Sequence, residues 1–543
     1  MDKRFRTCDL RQIYLLPPSI EDWLPQDHLA RFIGDVMNEL DLSAIYAEYG
    51  RRDNRGLSAY HPMLLTRLLL YGYCIGVTSS RRLERATYDE VPFRYLAANQ
   101  HPDHDTIASF RQRHLPALAQ LFVQALRLCQ KAGMVKLGNV SIDGTKIMAN
   151  ASTKRSVPYE KLREREQYWK QIVEQLLAEA QRTDQEEDRR YGPGQPADAL
   201  PDKLADAQSR LEVLRKARAE LEQEAQQELE ALQQVVTERK RGRPRKSEPA
   251  PKGSELAWQQ KTKKQLQRAK RKAAKPCRQH NFVDPDSRVM KDTGRKCFTQ
   301  AYNAQAAVDA EQQVIVAAEL TQQTTDRQQL LPMVQAVCRA TGQRPGTVTG
   351  DAGYWDTVSL QDRSLEGIQV LVAPDSPRQD GDSLPWNAPS GPEAVAMREL
   401  LATAAGKAAY AKRKTTVEPV FGQIKEARGI RRFRLRSLVK AAAEWKLICA
   451  GHNLLKLYRH RTGQNKPKKL GGRSQGRSKP RSSAAFYRSH CHPDRLPTTS
   501  TLIGPGARIG KSSQSGHGGC ETVSLRHTVR LTLVSCYAMH ACR

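Results

Sequence analysis

The sequence predicts an α/β fold with a mixed β-sheet, interrupted by a long helical hairpin and preceded by an all-α N-terminal domain. Short apolar runs rich in β-branched residues alternate with helical patterns between residues 298 and 458, which indicates strands and helices in one layered core. Long charged segments with helical periodicity precede that region, and most of the first 135 residues follow a helical pattern. A chain of 543 residues is long enough for about two to four such units.

The charge of the chain favours a polyanionic partner. Lys and Arg number 88 against 58 Asp and Glu, which gives a formal net charge of +30. Basic residues that neutralise phosphates release counterions, so a surplus of this size is typical of proteins that bind nucleic acid. The alternative is a protein whose basic tail supplies the excess, and residues 459–543 do supply part of it.

Cysteine usage and hydropathy predict a cytoplasmic protein with no membrane association. The eleven cysteines include no CxxC pair and no close Cys/His cluster of zinc-ligand spacing, so we expect reduced thiols rather than disulfides or a zinc site. The N-terminal residues are charged without a following apolar run, so no signal peptide is predicted. The most apolar window, Met63 to Val77, is interrupted by Arg67 and is too short to span a bilayer.

Residues 1–135 are predicted to form an all-α N-terminal domain that binds DNA or caps the next domain. Apolar residues at helical spacing predict helices over Asp27–Met37, with Asp27 as the N-cap, and over Pro62–Tyr73, Ser79–Tyr88 and Asp105–Lys131. Five arginines on these helices fit a helix-turn-helix-like module that docks on DNA: Arg81, Arg82, Arg85, Arg111 and Arg113. A helical cap with a solvated basic face is an equally good interpretation.

The core is predicted to begin with one strand and then to be interrupted by an insertion. A β-rich run from Asn139 to Ile147, within residues 136–155, predicts the first strand and contains Asp143. Residues 156–280 form the insertion, in which helices between Tyr159 and about Arg239 flank a Gly/Pro-rich turn. An antiparallel helical hairpin is the natural interpretation, and a dimeric coiled coil is the alternative.

A basic linker follows the hairpin. Its Arg239–Lys246 segment contains Arg-Gly-Arg-Pro, in which Arg241 and Arg243 are candidates for binding in an A·T-rich minor groove. A solvated linker is the alternative interpretation. Lys261–Lys275 is predicted to form a further basic helix.

Residues 281–458 complete the predicted core. Strands are predicted over Phe298–Ala307, Val314–Glu319, Thr347–Asp351 and Gln369–Ala373. Helices are predicted over Thr325–Thr341, Asp356–Glu366, Ala394–Tyr410, a segment through Glu418, and Val439–Tyr458, with a loop over Gly381–Pro392. Residues 459–543 lack periodicity and are rich in Lys, Arg, Ser, Gly and Pro, so we expect a disordered basic tail.

Three carboxylates stand in positions typical of a metal-dependent enzyme that cuts nucleic acid. Asp143 lies in a β-rich run, Asp351 ends a short strand before a Gly-containing turn, and Glu418 lies on a helix. Phosphodiester cleavage needs positive charge on the attacking and leaving oxygens, which two Mg²⁺ ions about 3.5–4 Å apart supply when oxygen ligands hold them. Each carboxylate also has a simpler interpretation: respectively a turn residue before Gly144, a helix N-cap, and a solvated helical side chain.

Several segments together resemble bacterial insertion-sequence transposases of the DDE type. They are Ser141–Ala151, Asp284–Lys291, Gly350–Tyr354 and Val417–Lys425, together with the helical front that contains Asp105–Arg111. The resemblance covers roughly residues 10–458. It implies an RNase H-like catalytic core in which Asp143, Asp351 and Glu418 are the catalytic metal ligands for two Mg²⁺ ions, with Mn²⁺ as an alternative metal.

The resemblance further implies a Tyr-x₂-Arg-x₃-Glu-x₆-Lys signature whose tyrosine and basic residues hold the phosphates of a transposon end. Tyr410, Arg413, Glu418 and Lys425 are the matching positions, but four residues separate Arg413 from Glu418 instead of three. Lys414 has the family spacing, so both basic residues are candidates for the phosphate contact. Glu418 and Lys425 lie seven residues apart, which corresponds to two turns along one face of a regular helix.

The partners implied by the resemblance are double-stranded DNA, both as terminal inverted repeats and as target, and further copies of the chain in a synaptic homo-oligomer. Its expected location is the bacterial cytoplasm, on the nucleoid when bound to DNA. Two other functions stay open: an RNase H-like nuclease without strand transfer, and a DNA-binding protein without catalysis. Trp355, beside the Asp351 turn, is either a stacking partner for an unpaired base or, more simply, a core residue.

Overall fold

A six-stranded mixed sheet lies at the centre of the fold. The computed structural model describes residues 19–50, 59–191, 202–241, 263–264, 266–271, 279–292, 297–375, 389 and 391–463. The strands are β1 (Asn139–Met148), β2 (Ser156–Pro158), β3 (Gln279–Asn281), β4 (Arg288–Asp292), β5 (Cys297–Asp309), β6 (Ile315–Thr321), β7 (Thr347–Gly350) and β8 (Gln369–Val372). The main sheet has the order β4-β5-β1-β7-β8, with β6 also paired to β5, while β2 and β3 form a separate ladder. The predicted α/β class with a mixed sheet is confirmed.

Strand β1 is central because it is hydrogen-bonded on both edges. It runs antiparallel to β5, with Asp143 opposite Ala306. On its other edge, Asn139–Ser141 runs parallel to the start of β7. Near its end, Met148 pairs with the backbone of Arg431 and Phe433 instead. Asp143 therefore lies within a strand, and its alternative interpretation as a turn residue is wrong.

Helices pack on this sheet and are the regular elements of the described N-terminal region. The longer ones are α1 (Leu29–Val36), α2 (Ser43–Gly50), α3 (Pro62–Ile75), α4 (Ser80–Asp89), α5 (Val91–Leu96), α6 (His104–Arg113), α7 (Leu115–Lys131), α8 (Tyr159–Tyr191), α9 (Asp202–Arg241), α10 (Leu330–Thr341), α11 (Thr357–Leu360), α12 (Pro392–Ala402), α13 (Ala404–Gly422) and α14 (Leu438–Arg461). Residues 263–264 and 266–271, within the basic helix predicted over Lys261–Lys275, are also helical. No helix within the described ranges is both long and apolar enough to cross a bilayer.

Two predicted helix starts in the N-terminal region are wrong. Helix α1 is capped by His28, whose Nδ1 accepts the N–H of Ala30 at 3.0 Å, and not by Asp27. The helix predicted from Asp105 to Lys131 is two helices, and Asp103 caps the first of them through the N–H of Thr106 at 2.7 Å. The second begins at Leu115 with Pro116 in its first turn. Proline there lacks an N–H and its ring would clash with the carbonyl four residues earlier in a continuous helix, which favours a new helix start at this point.

The N-terminal helices share one hydrophobic core with the sheet. A single buried cluster extends from Leu24 to Leu457, and helix α14 packs on α3, α7 and β6 within it. Gly76 ends α3 with φ of +90°, and a Cβ there would lie 2.0 Å from the carbonyl oxygen of Arg428. Only glycine fits this close approach between the N-terminal helices and the C-terminal segment.

The insertion is an antiparallel helical hairpin on a short β-ladder. Trp169 and Val173 of α8 pack on Leu204 and Leu211 near the start of α9. Leu162, earlier in α8, packs further along α9, so the two helices run in opposite directions. The β2–β3 pair closes the base of the hairpin. Arg243 and the side chain of Arg241, the linker residues predicted to bind DNA, lie outside the described residues. The predicted basic tail lies outside them as well from residue 464 onward.

Several predicted boundaries in the second half are also wrong. Helix α10 begins at Leu330, so Thr325–Gln329 is a loop. The helix predicted over Asp356–Glu366 is the short α11 followed by a 3₁₀ turn at Arg363–Leu365. Helices α12 and α13 are separated at Thr403, whose hydroxyl caps α13 by accepting the N–H of Gly406 at 3.0 Å. Strands β2, β3 and β4 were not predicted, because each is short and lacks an apolar alternation.

Candidate active site

Asp143 and Asp351 lie at the same level of two adjacent parallel strands. Ser141 of β1 is paired with Thr349 of β7, and each aspartate stands two residues beyond that pair. The Ser141 and Thr349 hydroxyls also hydrogen-bond to each other at 2.9 Å, which fixes the register directly below the aspartates. Residues 208 positions apart in the sequence are thereby brought together by strand pairing.

Each aspartate is held by a local backbone hydrogen bond. Asp143 Oδ1 accepts the N–H of Gly144 at 2.8 Å. Asp351 Oδ1 accepts the N–H of Gly353 at 2.9 Å, which caps the 3₁₀ turn Ala352–Tyr354. The N-cap interpretation of Asp351 is therefore correct, and it coexists with a position beside Asp143.

The two carboxylates repel each other in a partly desolvated environment. Burial raises the pKa of Asp143 to about 7, and the negative charge of Asp351 contributes further in the same direction. Burial likewise raises the pKa of Asp351, and Asp326 adds to this effect. Arg413 opposes both shifts, but it does not cancel them. Closely placed carboxylates with raised pKa values are typical of sites that function with a cation or a proton between them.

Asp326 is a third carboxylate at this site that the sequence analysis missed. Its Oδ1 accepts amide hydrogens from Asn303 and Gln305, both at 2.7 Å. Lys146 Nζ lies 3.7 Å from the same oxygen. The sequence predicts a helix from Thr325 and so places Asp326 in a helix, whereas the structure has it in a loop before Leu330. The available signal was the pair Asn303 and Gln305 at alternate positions of β5, because such residues face the same side of a sheet.

Gly144 leaves the space that this network occupies. A Cβ on Gly144 would lie 2.3 Å from Asp326 Oδ1 and 2.4 Å from Gln305 Nε2. Gln305 also accepts the hydroxyl hydrogen of Tyr354. Any side chain at position 144 would displace the Asp326 carboxylate, so Gly144 is required by packing at the site and not by a turn.

Arg413 and Tyr410 turn toward the aspartates, whereas Lys414 does not. Arg413 Nη1 lies 3.9 Å from Asp143 Oδ2, and its side chain is only 11% exposed. The Arg413 guanidinium also lies 5.8 Å from the centre of the Tyr410 ring. Burial raises the pKa of Tyr410. Lys414 is exposed. Of the two basic candidates, Arg413 neutralises a carboxylate, and Lys414 is the one accessible to a phosphate.

Glu418 is on helix α13 but is exposed. Within the described ranges it forms no hydrogen bond or ion pair, and no three His, Cys, Asp or Glu side chains are grouped closely enough to hold a metal ion. The extra residue after Arg413 explains this orientation, because it places the fully buried Val417 at the position that the family spacing gives to glutamate. Asp143, Asp351 and Asp326 thus interact electrostatically without converging on one point, and Glu418 does not join them.

A π-helical turn at Gln423–Ala427 follows α13 and changes the direction of Lys425. The Lys425 ammonium donates to Thr145 Oγ1 at 3.0 Å and to the Lys146 carbonyl at 3.2 Å, both on β1. A π turn contains more residues than an α turn, so the seven residues from Glu418 to Lys425 do not equal two α-helical turns. Lys425 therefore anchors the helix end to the strand of Asp143.

The other sequence candidates divide between surface and core. Arg81, Arg82, Arg85 and Arg113 are exposed, but Arg111 is buried and donates to the Thr78 carbonyl at 2.8 Å. Arg111 is thus wrongly included in a DNA-docking face. Trp355 is 8% exposed and belongs to the hydrophobic core, as the simpler interpretation held.

A coupled pair of aspartates on parallel strands, with basic residues around it, is typical of nucleic-acid-processing enzymes. Comparison with protein families agrees with this class. The transposase domain DUF772 matches residues 18–113, and the transposase DDE domain matches residues 389–458, which include Glu418 but neither aspartate. The two matches indicate transposase function and confirm the resemblance to insertion-sequence DDE transposases. Searches of curated proteins and of solved structures gave no significant match.

Proposed function

We propose that this protein is a DNA transposase that binds terminal inverted repeats and catalyses metal-dependent strand cleavage and transfer. The proposal rests above all on the parallel pairing of β1 with β7, which brings Asp143 and Asp351 to the same level. Within this proposal Asp143, Asp351 and Glu418 are the catalytic triad. Synapsis of two DNA ends requires a homo-oligomer, and the nucleoid of a bacterial cytoplasm is the expected location.

An RNase H-like core is the fold that we propose for the sheet. It is supported by the strand order β6-β5-β1-β7-β8, in which β5 is antiparallel to β6 and β1. Strands β1, β7 and β8 are parallel to one another. Among these five strands, β1 is the first in chain order and β7 the fourth, and the two are neighbours in the sheet. One residue from each is therefore available to a shared cation.

The residues at this site fit divalent cations. Carboxylates are the hard oxygen ligands that Mg²⁺ and Mn²⁺ prefer, and two of them are held together here at an electrostatic cost that a cation would remove. Asn303 Oδ1 is buried without a hydrogen-bond partner among the described residues, so a further oxygen is available beside Gly144. Bound cations would supply charge stabilisation for the attacking and leaving oxygens of the phosphodiester.

The surrounding side chains have separate proposed roles. Arg413 neutralises Asp143 and orients it, because its guanidinium is held between that carboxylate and the Tyr410 ring. Lys425 fixes the end of α13 to β1 through Thr145. Lys414 is exposed and is the proposed phosphate contact. These assignments give Tyr410, Arg413 and Lys425 positioning roles and leave DNA binding to Lys414, the exposed N-terminal arginines, and Arg241 and Arg243 of the linker.

A DNA-binding protein without catalysis is the second candidate. The exposed position of Glu418, away from the aspartates, favours it. The buried and mutually repelling aspartates argue against it, because acidic groups facing DNA phosphates weaken binding unless a cation lies between them. A nuclease without strand transfer uses the same site, so only the products of the reaction distinguish it from a transposase.

The proposed function is tested with labelled DNA that carries the inverted repeats flanking the gene. We expect wild-type protein to nick this DNA at the repeat boundary with Mg²⁺ or Mn²⁺, and the 3′ ends to join a target duplex. Asp351→Asn is expected to retain binding and to lose both reactions. Cleavage without joining would establish the nuclease, and binding without cleavage by the wild type would establish the non-catalytic protein. Equal cleavage by both proteins would show that Asp351 is not a ligand.

The identity of the third carboxylate is tested by Mn²⁺ binding, followed by electron paramagnetic resonance. We expect Glu418→Gln to bind one Mn²⁺ ion where the wild type binds two. Asp326→Asn is expected to keep both ions with roughly 10- to 100-fold weaker affinity, as for loss of a residue that orients the ligands. Glu366→Gln, an exposed carboxylate away from the site, is the control. Loss of an ion in Asp326→Asn together with wild-type binding in Glu418→Gln would assign the third position to Asp326.

A further inference from the structure

A second cleft lies where β1 ends. It has a volume of about 450 Å³ and opens between the end of β1, the 3₁₀ turn at Thr153–Arg155, the start of β5 and the segment after the π-helical turn. The lining includes Arg155, Arg432, Arg436 and Phe298. None of the described lining residues is acidic. The composition of the cleft therefore differs from that of the Asp143 site, in which carboxylates dominate.

The three arginines of this cleft are available to an anion. All three are exposed, and none forms an ion pair with a described carboxylate. Among the described residues, Arg436 Nε donates to the Asn150 carbonyl at 3.3 Å, and Arg432 Nη2 lies 3.9 Å from the Met148 sulfur. Most of their guanidinium N–H groups are thus left for a ligand, and guanidinium geometry matches phosphate oxygens. Asp284 interacts electrostatically with Arg436 but forms no ion pair with it, so three arginines that line one cleft still favour a polyanion.

Phe298 adds an aromatic surface to this basic cleft. It is 67% exposed, although a phenylalanine in a β-sheet is ordinarily buried. It lies near the start of β5, opposite the exposed Lys291 of β4, so the aromatic ring has a cation on the neighbouring strand as well. An exposed ring among arginines is the combination with which proteins hold single-stranded nucleic acid, because bases stack on the ring while basic groups bind the backbone.

We propose that this cleft binds an unstacked nucleotide of the DNA strand that the Asp143 site processes, with the base on Phe298 and phosphates on Arg155, Arg432 and Arg436. The inference rests on the proposed function. Met148, at the edge of the cleft, comes five positions after Asp143 on β1, which is about 16 Å along the strand. That distance corresponds to about five base-pair steps of B-form DNA. The cleft thus holds a nucleotide a few positions away from the cleaved bond.

The test is DNA binding in EDTA, which separates this cleft from metal-dependent cleavage. The probe is a duplex with a short single-stranded extension that carries 2-aminopurine, compared with a blunt duplex of the same sequence. We expect wild-type protein to prefer the extended duplex and to quench 2-aminopurine fluorescence. Phe298→Ala is expected to lose the quenching and to bind the extended duplex roughly 5- to 100-fold more weakly. Phe298→Trp is expected to keep both properties.

The arginines are tested by the salt dependence of the same binding reaction. Arg432→Ala and Arg436→Ala are each expected to lower the slope of log affinity against log salt by about 0.7–0.9, the value for one phosphate contact. Arg363→Ala, which removes an exposed charge elsewhere, is the control and is expected to change the slope less. Wild-type quenching in Phe298→Ala, or equal slopes in the cleft variants and the control, would overturn the proposal. Absence of Mg²⁺-dependent cleavage with quenching retained would instead overturn the proposed function alone.

Discussion

Asp143→Asn is expected to reduce Mg²⁺-dependent DNA cleavage by roughly 10³-fold or more and at the same time to stabilise the metal-free protein. The loss of cleavage follows from the proposed role, because an amide has one neutral oxygen where the carboxylate offers two charged ones. The gain in stability follows from the environment of Asp143, where burial and the charge of Asp351 raise its pKa to about 7. The same carboxylate is thus proposed to be needed for function and expected to be unfavourable for folding.

The sign of the stability effect depends on pH. Below about pH 4 the Asp143 carboxyl is protonated in both the folded and the unfolded chain, so it contributes no difference. As pH rises from about 4 to 7 the unfolded chain releases this proton while the folded chain keeps it, and the free energy of unfolding falls. Above about pH 7 the full cost remains, roughly 2–4 kcal/mol for a shift of this size. Asparagine resembles the protonated carboxyl and avoids that cost.

The measurement is urea unfolding of wild type and Asp143→Asn in EDTA at pH 5 and at pH 8. We expect the variant to exceed the wild type by a larger margin at pH 8 than at pH 5. Added Mg²⁺ is expected to stabilise the wild type more than the variant, because ligand binding to the folded state adds to the free energy of unfolding. Glu366→Gln, at an exposed position, is the matched control. A variant less stable than the wild type at pH 8 would contradict the repulsion inferred for the site.

The positions of the two aspartates were predictable from local sequence, because each follows or interrupts a β-branched run of a kind that forms strands. Their proximity was not derivable from those runs. It depends on the register of β1 with β7, which pairs residues about 208 positions apart across the insertion. Hydrophobic periodicity indicates which face of a strand is buried, but it does not identify the neighbouring strand.

The sequence predicts the wrong secondary structure for Asp326 and the wrong contacts for Glu418. The sequence pattern predicts a helix that includes Asp326, since polar residues before a helix resemble its first turn, but the helix begins at Leu330. The sequence predicts the helix of Glu418 correctly, but the direction of Glu418 depends on one extra residue after Arg413. The direction of Lys425 depends on a π turn that sequence periodicity does not reveal. A shift of one residue turns a helical side chain by about 100°, so the element was predictable and the contact was not.

Glu444 joins the two parts of the chain that match transposase families. It is the only carboxylate of helix α14, and it is 1% exposed. Its Oε2 accepts the N–H groups of Arg434 at 2.8 Å and of Leu435 at 2.9 Å, and its Oε1 accepts the hydroxyl hydrogen of Tyr73 at 3.1 Å. Burial raises the pKa of Glu444, while the charge of Arg111 lowers it. The N-terminal helices are thereby fixed to the segment that precedes α14.

Glu444→Ala is expected to lower the free energy of unfolding by about 3–5 kcal/mol, because it leaves the buried Arg111 charge and three donors without this acceptor. Glu444→Gln, which keeps one acceptor oxygen, is expected to cost less. Lys440→Ala, at an exposed position of the same helix, is the control and should remain within about 0.5 kcal/mol of the wild type. Urea unfolding measures these differences, and hydrogen exchange locates them.

Because Tyr73 and Arg111 belong to the N-terminal helices, we expect exchange in Glu444→Ala to increase in α3 and α6 as well as in α14. An increase confined to α14 would show that the two matched segments are stabilised independently of each other.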